Sequence, residues 1–395
     1  MTLETLEKIN NAVKERPQEL ADARRKGRKV VGWFNYNIPE EIIHALGLIP
    51  VRLGTGGNDR LVEIGARYIS TKNCVFTREL VGLFAENQDP YIKNSDIVAA
   101  DATCLQTYRA AEVIKHYFKI NIVILGVPRN FSLPEGQEYF EKELEFFTKK
   151  LEAVAGKKLD TNKLAGSIKL YNDIRKSIKE LYKYQAISKS TIKWREVFDV
   201  VHAGFYLDRE KYLSLLHELL GELREQHGEP VIGNLNGDAR ILVSGSIIPP
   251  GDTKLINIIE QVGGRIVSDE LWSGLNPSMN IEIREASIKG IADGYINRVP
   301  HAALPYLDLE TDGRLKNLKR IINDHKAQGV IFHTLRFCDP FTFKASETKD
   351  VLKKEGIPLL EIHTEYAGSD LEAIRTRAEA FVEMIKNKEI QEVEQ

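Results

Sequence analysis

The stretch Lys29–Gly57, KVVGWFNYNIPEEIIHALGLIPVRLGTGG, sets the architecture. Its opening, KVVGWF over 29–34, is a short run of β-branched and aromatic residues, the composition of a buried strand. A polar loop, Asn35-Tyr36-Asn37, follows. The next segment takes helical spacing, with Pro39 near its first turn, Glu40 and Glu41 just behind it, and Gly47 as its stop. IPVRLG over 49–54 is a second strand, ending in the loop Gly54-Thr55-Gly56-Gly57. Strand, helix, strand at this spacing predicts a parallel sheet with right-handed crossovers.

The same rhythm extends outward. DIVAADAT (96–103), a helix from about Gln106 to Phe118 and INIVILGVP (120–128) continue the sheet. From about Pro134 to Gly228 the apolar residues recur every three or four positions, which predicts long helices. A second α/β unit follows, with strands at 239–248, 264–269, 329–337 and 357–365 and helices between them. Its last helix, over 370–388, precedes a charged tail expected to lack structure. The fold class is therefore α/β, with an N-terminal α/β domain over 1–133, a helical connecting region over 134–236 and a C-terminal α/β domain over 237–395.

Several function classes drop out on composition. The formal charge is −2, with 55 basic and 57 acidic residues, so no basic surface is available to neutralise phosphates and nucleic acid is not an expected partner. No window approaches the roughly 20 apolar residues that cross a bilayer, so no membrane is expected either. The N-terminus lacks the apolar core and cleavage site of a secretory signal, which gives a cytoplasmic expectation. Three cysteines, an odd number set far apart, argue against disulfides.

Those cysteines fall at telling places. Cys104 stands just past the carboxyl end of a predicted strand, and Cys338 occupies the same position in the second unit. Ligands of open α/β sheets collect beyond such strand ends. Cys74 lies at the predicted start of a helix, where backbone N–H groups favour a thiolate. Three thiolates suit zinc with a fourth ligand or a cubane iron–sulfur cluster with one iron left open. No CxxC pair is present, and spacing alone leaves both readings standing, together with that of three buried apolar thiols.

Local sequence adds a resemblance. The segment Gly32–Gly57 is similar to the N-terminal signature of the 2-hydroxyacyl-CoA dehydratase and benzoyl-CoA reductase family, in which a Pro-Glu-Glu helix runs into Ala-x-Gly-x-x-Pro. Leu335-Arg336-Phe337-Cys338-Asp339-Pro340 resembles its third-cysteine motif. VSGSIIPPGDTKLINIIEQVGGRIVSDEL resembles the start of its second domain, and EGIPLLEIHTEYAGSDLEAIRTRAEAFVEMI its C-terminal pattern. The likeness runs from about residue 28 to 385 and points to a D-component type subunit. It implies two Rossmann-like domains with a [4Fe–4S] cluster in the cleft between them, held by Cys74, Cys104 and Cys338. It further implies an acyl-CoA substrate, a related or identical family subunit as partner, an ATP-dependent iron–sulfur activator, and ferredoxin or flavodoxin upstream. Two positions depart from the family's habit: Glu79 after Arg78, and Leu105 after the second cysteine.

The implied chemistry is demanding. Removing an α-hydroxyl from an acyl thioester requires loss of a non-acidic β-proton, beyond the reach of simple acid–base catalysis. One added electron makes the thioester carbonyl a ketyl radical that expels the neighbouring hydroxyl. Around such a site the expected residues are Asn37 and Glu41 for hydrogen bonding and proton handling, and Tyr36, Arg52, Gly54 and Gly56 for the substrate. Glu40 and Glu41 also read as plain partners of the helix dipole, and His333 and His363 as structural histidines in core strands. A benzoyl-CoA-type reductase subunit and a non-catalytic electron-relay subunit remain as alternatives.

Overall fold

The computed structural model describes residues 3–54, 56–233, 238–304, 312–368 and 370–393. Thr55 of the glycine loop and the 236/237 boundary fall outside the described residues. Eight strands form two four-stranded sheets. The first contains β1 (Val30–Phe34), β2 (Ile49–Arg52), β3 (Ile97–Asp101) and β4 (Ile122–Leu125), in the order β2-β1-β3-β4. The second contains β5 (Ala239–Gly245), β6 (Gly264–Leu271), β7 (Gly329–Leu335) and β8 (Leu359–Thr364), in the order β6-β5-β7-β8. All pairs are parallel. β1, β2, β3, β5 and β7 are buried along their whole length, as expected for strands covered on both faces.

The shared strand order fixes where a site can form. In each sheet the chain leaves the first strand toward one side and returns on the other, so a crevice opens beyond the carboxyl ends of β1 and β3, and of β5 and β7. Asp101 bolts the first crevice together. Its Oδ2 accepts the Tyr36 and Asn37 amides at 2.8 and 2.7 Å, and its Oδ1 accepts the Thr103 amide at 2.9 Å. In the second, Ser246 Oγ accepts the Leu335 amide at 2.8 Å.

Helices Pro134–Ala155, Thr161–Ala186, Trp194–Ala203 and Arg209–His227 link the sheets. They do not form a core of their own. Phe140, Leu144 and Phe147 pack with the first sheet, whereas Tyr182, Trp194 and Phe198 pack with the second. Asp269 of β6 accepts from Tyr182 Oη at 2.5 Å and from Trp194 Nε1 at 2.9 Å, which ties these helices to the second sheet. The chain also crosses back: Ile281, Ile283, Ile291 and Tyr295 join the first sheet's core although they follow β6. The closing helix, Leu371–Val393, runs past Lys388, where the sequence predicts an unstructured tail. Glu389, Gln391 and Glu392 are of residue types with good helix propensity, which favours its continuation.

Candidate metal centre

Every cysteine of the chain is the N-cap of a helix. Cys74 precedes Val75–Glu86, Cys104 precedes Leu105–Phe118, and Cys338 precedes Asp339–Lys354. Cys104 follows the last residue of β3, Asp101, by three positions, as Cys338 follows Leu335 of β7. The two are structural equivalents in the two sheets. Cys74 comes from the insertion between β2 and β3, where helix Asp59–Gly65 packs backbone to backbone against Val75–Glu86. A Cβ on Gly65 would meet Arg78 O at 1.8 Å, and one on Gly82 would meet Leu61 O at 1.9 Å.

The three thiols line one cavity, with Asn35, Phe76, Trp272, His301 and Phe341 among its other walls. All three are free. No sulfur closes a capping hydrogen bond, yet the local fields act on each. The Cys74 thiol is drawn below its ordinary pKa, first by the Cys338 thiol and, against burial, by the Phe76 and Thr77 amides. Cys338 is pushed well up by the same hydrogen bond, by burial and by the neighbouring thiols. Burial raises Cys104, opposed by the Thr107 amide. Three helix N-termini thus point positive dipole ends at one pocket of thiols.

One side chain joins the three loops. Gln106, two residues past Cys104, accepts the Cys74 amide at 2.6 Å through Oε1. Its Nε2 donates to Phe337 O at 3.0 Å and to Asp339 Oδ2 at 2.9 Å, on either side of Cys338. Val75 N also donates to Arg336 O at 3.4 Å. Phe337 adopts φ +62°, a conformation a bulky side chain rarely takes. Arg129 holds the loop before Cys104 through Ala102 O and Thr103 O at 2.8 and 2.9 Å.

Among the described residues, no group of three or more His, Cys, Asp or Glu side chains is placed to hold a metal ion. The thiols are distributed around one cavity, three soft donors from three loops. Three thiolates are a donor set that suits a four-iron cluster, in which each iron takes one protein ligand.

The other expected site residues separate. Tyr36 and Arg52 line a second cavity of about 110 Å³, which shares Asn35 and Trp272 with the thiol cavity. Asn37 lines neither; its Nδ2 is spent on Thr103 Oγ1 at 2.6 Å, and Asn35 takes the place between the cavities. Glu41 is fully buried in an ion pair with Arg175 and accepts from Tyr295 Oη at 3.0 Å, so its carboxylate serves packing between helices. Gly54 and Gly56 lie away from both cavities, at φ +67° and +84°; a Cβ on Gly54 would strike Leu80, and one on Gly56 would strike Tyr366 and Pro249. His333 is buried against Thr364 at 2.7 Å, whereas His363 is exposed beside Glu361 because it falls on the outer face of β8. Gln106 and His301 were not marked by the sequence, since their contacts lie far along the chain.

Comparison with known proteins places the chain among enzymes. The family model described as "2-hydroxyglutaryl-CoA dehydratase, D-component" matches residues 35–385. A benzoyl-CoA reductase subunit of Thauera aromatica is 24% identical, over 91% of this chain and 91% of that one. The (R)-phenyllactyl-CoA dehydratase beta subunit of Clostridium sporogenes is 22% identical, over 91% and 92%. The beta subunit of (R)-2-hydroxyglutaryl-CoA dehydratase from Acidaminococcus fermentans is 20% identical, over 93% and 95%.

Proposed function

This chain belongs to the 2-hydroxyglutaryl-CoA dehydratase D-component family, and from that premise we propose that it is the [4Fe–4S] subunit of an ATP-activated 2-hydroxyacyl-CoA dehydratase. Cys74, Cys104 and Cys338 hold the cluster. The observation that carries this reading is that the chain's only three cysteines, from both sheets and from the insertion, cap helices around one cavity. A cluster held by these three thiolates would supply Lewis acidity and a low-potential electron.

The protein's own residues prepare the place for that chemistry. Phe76, Trp272 and Phe341 wall the thiol cavity with apolar surface, which keeps water from a reactive radical. The three helix N-termini offset the negative charge of the thiolates. His301 lies in the same wall, with Nδ1 accepting the Ala303 amide at 3.1 Å; this assigns the ring proton to Nε2 and leaves a neutral donor. Burial holds its pKa down to about 3, so it stays neutral near pH 7. The adjoining cavity around Tyr36 and Arg52 receives the acyl group, close enough to share Asn35 and Trp272 with the thiols.

In this reading the enzyme is completed by a related or identical member of the same family. An ATP-hydrolysing iron–sulfur activator, recharged by ferredoxin or flavodoxin, delivers the electron. The setting is cytoplasmic and free of oxygen; among the described residues no helix is long and apolar enough to cross a membrane. A benzoyl-CoA-type reductase is the second reading, favoured by the aromatic walls Trp33, Tyr36, Phe205 and Trp272 of the acyl cavity. Co-expression with a family partner and an activator, followed by assay under anaerobic conditions, decides. A 2-hydroxyacyl-CoA should lose water only when ATP and a strong reductant are both present. Turnover without ATP would overturn the proposal, and reduction of benzoyl-CoA in its place would support the second reading.

A further inference from the structure

The cavity beside the thiols carries more positive charge than its own carboxylates balance. Four guanidinium groups line it, those of Arg52, Arg175, Arg209 and Arg298. Arg209 is paired with Glu40, through Nε at 2.8 Å, and Arg175 with Glu41. Arg52 and Arg298 have no carboxylate partner among the described residues. Arg52 is 3% exposed, and its Nε and Nη2 lack any hydrogen-bond partner. It is wedged between rings, 4.3 Å from the centroid of Phe205, 4.9 Å from Trp272 and 5.5 Å from Trp33. Arg298 lies 3.7 Å over the Tyr36 ring and donates to Tyr36 O at 2.9 Å, while its Nε is unpartnered. Trp33 Nε1 is unpartnered as well.

All of these unpartnered groups are donors, and two are cations out of water. Ring faces return part of the lost hydration, but a guanidinium fork finds its full complement only in a planar anion. We propose that this cavity binds a carboxylate at the far end of the acyl group, with Arg52 as its principal contact and Arg298 and Trp33 beside it. This rests on the reading of the chain as an acyl-CoA enzyme. A thioester carbonyl is neutral and gives no reason for two surplus cations. The phosphates of coenzyme A suit the cavity poorly, because a volume of about 110 Å³ amid apolar walls accommodates a short chain and its carboxylate rather than a solvated diphosphate. The substrate class is thus an acyl thioester whose chain ends in an acid.

Equilibrium titration of the anaerobically purified chain tests this, using pairs matched in carbon number: succinyl-CoA against butyryl-CoA, and glutaryl-CoA against pentanoyl-CoA. The carboxylate member of at least one pair should bind tenfold or more tightly, and Arg52→Met should erase that preference. Arg52→Lys, which keeps the charge and loses the planar fork, should reduce it. Equal binding within both pairs by the unaltered protein overturns the proposal while leaving the acyl-CoA reading intact. So does a preference that survives Arg52→Met. Free glutarate separates the two ideas. If no acyl-CoA binds but glutarate raises the melting temperature in an Arg52-dependent way, the carboxylate site stands and the acyl-CoA reading falls; if neither binds, both fall.

Discussion

Glu41 shows how completely burial can settle the role of one residue. With no exposed surface and Arg175 and Tyr295 as partners, its carboxylate is part of a closed network. Removing one member strands a charge, so Glu41→Gln or Arg175→Met should destabilise the fold by about 3–5 kcal/mol in chemical denaturation. A change below about 1 kcal/mol, the range of exposed pairs, would show that the network is weak. Glu79 carries a pH signature of its own. Burial pushes its carboxyl up to about 8, so between the unfolded value near 4.5 and about pH 8 the folded protein binds the extra proton. That contribution to stability is full below the unfolded pKa and is lost as pH rises through the folded one. Glu79→Gln should therefore flatten the fall in melting temperature between about pH 5 and 8; an unchanged slope would place the titration elsewhere. His202 and His333, both held near 3 by burial, act in the opposite sense and withdraw stability as pH drops below about 6.5. Residue roles were the least legible part of the sequence. The expectation for Arg52 at the substrate was tied to no particular cavity, and the plain helix-dipole reading of Glu41 did not disclose its partners, because Thr103, Arg175 and Tyr295 meet Asn37 and Glu41 only after folding.

At the level of elements, strands such as β1 (VVGWF), β3 (IVAAD) and β4 (IVIL) were legible as mainly apolar runs closed by polar loops, and the positions of Cys104 and Cys338 followed from the strands before them. The helix Trp194–Ala203 was not, since its run is short and its partner, β6, lies far along the chain. Nor did the sequence disclose that the segment 281–295 returns to the first sheet, because its apolar spacing fits either core equally. The element that matters most for the thiol cavity is the helix Val75–Glu86, which brings Cys74 to the others. Its seat depends on Gly65 and Gly82, where two backbones touch. Gly82→Ala should force the pair apart and move Cys74, so iron should be lost from the purified protein before secondary structure is, as read by iron analysis beside far-ultraviolet circular dichroism. Parallel loss of both signals would mean that the helix pair holds the fold rather than the site. Gln106→Ala removes the link among the three cysteine loops. It should shift the melting temperature by no more than about 2 °C while hastening cluster loss in air. Cluster decay at the unaltered rate would deny Gln106 that positioning role.

On the scale of the whole molecule, two sheets of one topology each send a loop from the end of the third strand in sequence toward the other, and an inserted helix pair supplies the third contact. Tyr36 Oη donates to Val299 O at 2.9 Å and Gln106 reaches Phe337 O, so the halves are latched where the thiols meet. This convergence was foreseeable only as a possibility, because sequence places each cysteine on its own element and says nothing of how two sheets face each other. It is also the claim on which the proposed chemistry depends. The most direct test is metal and sulfide analysis of the chain purified without oxygen, with Cys74→Ala, Cys104→Ala and Cys338→Ala purified alongside. About four irons and four acid-labile sulfides per chain are expected, with a brown colour that air destroys and loss of the intact cluster in each variant. Stoichiometric zinc in place of iron, or a full iron content in any one of the variants, would contradict that claim.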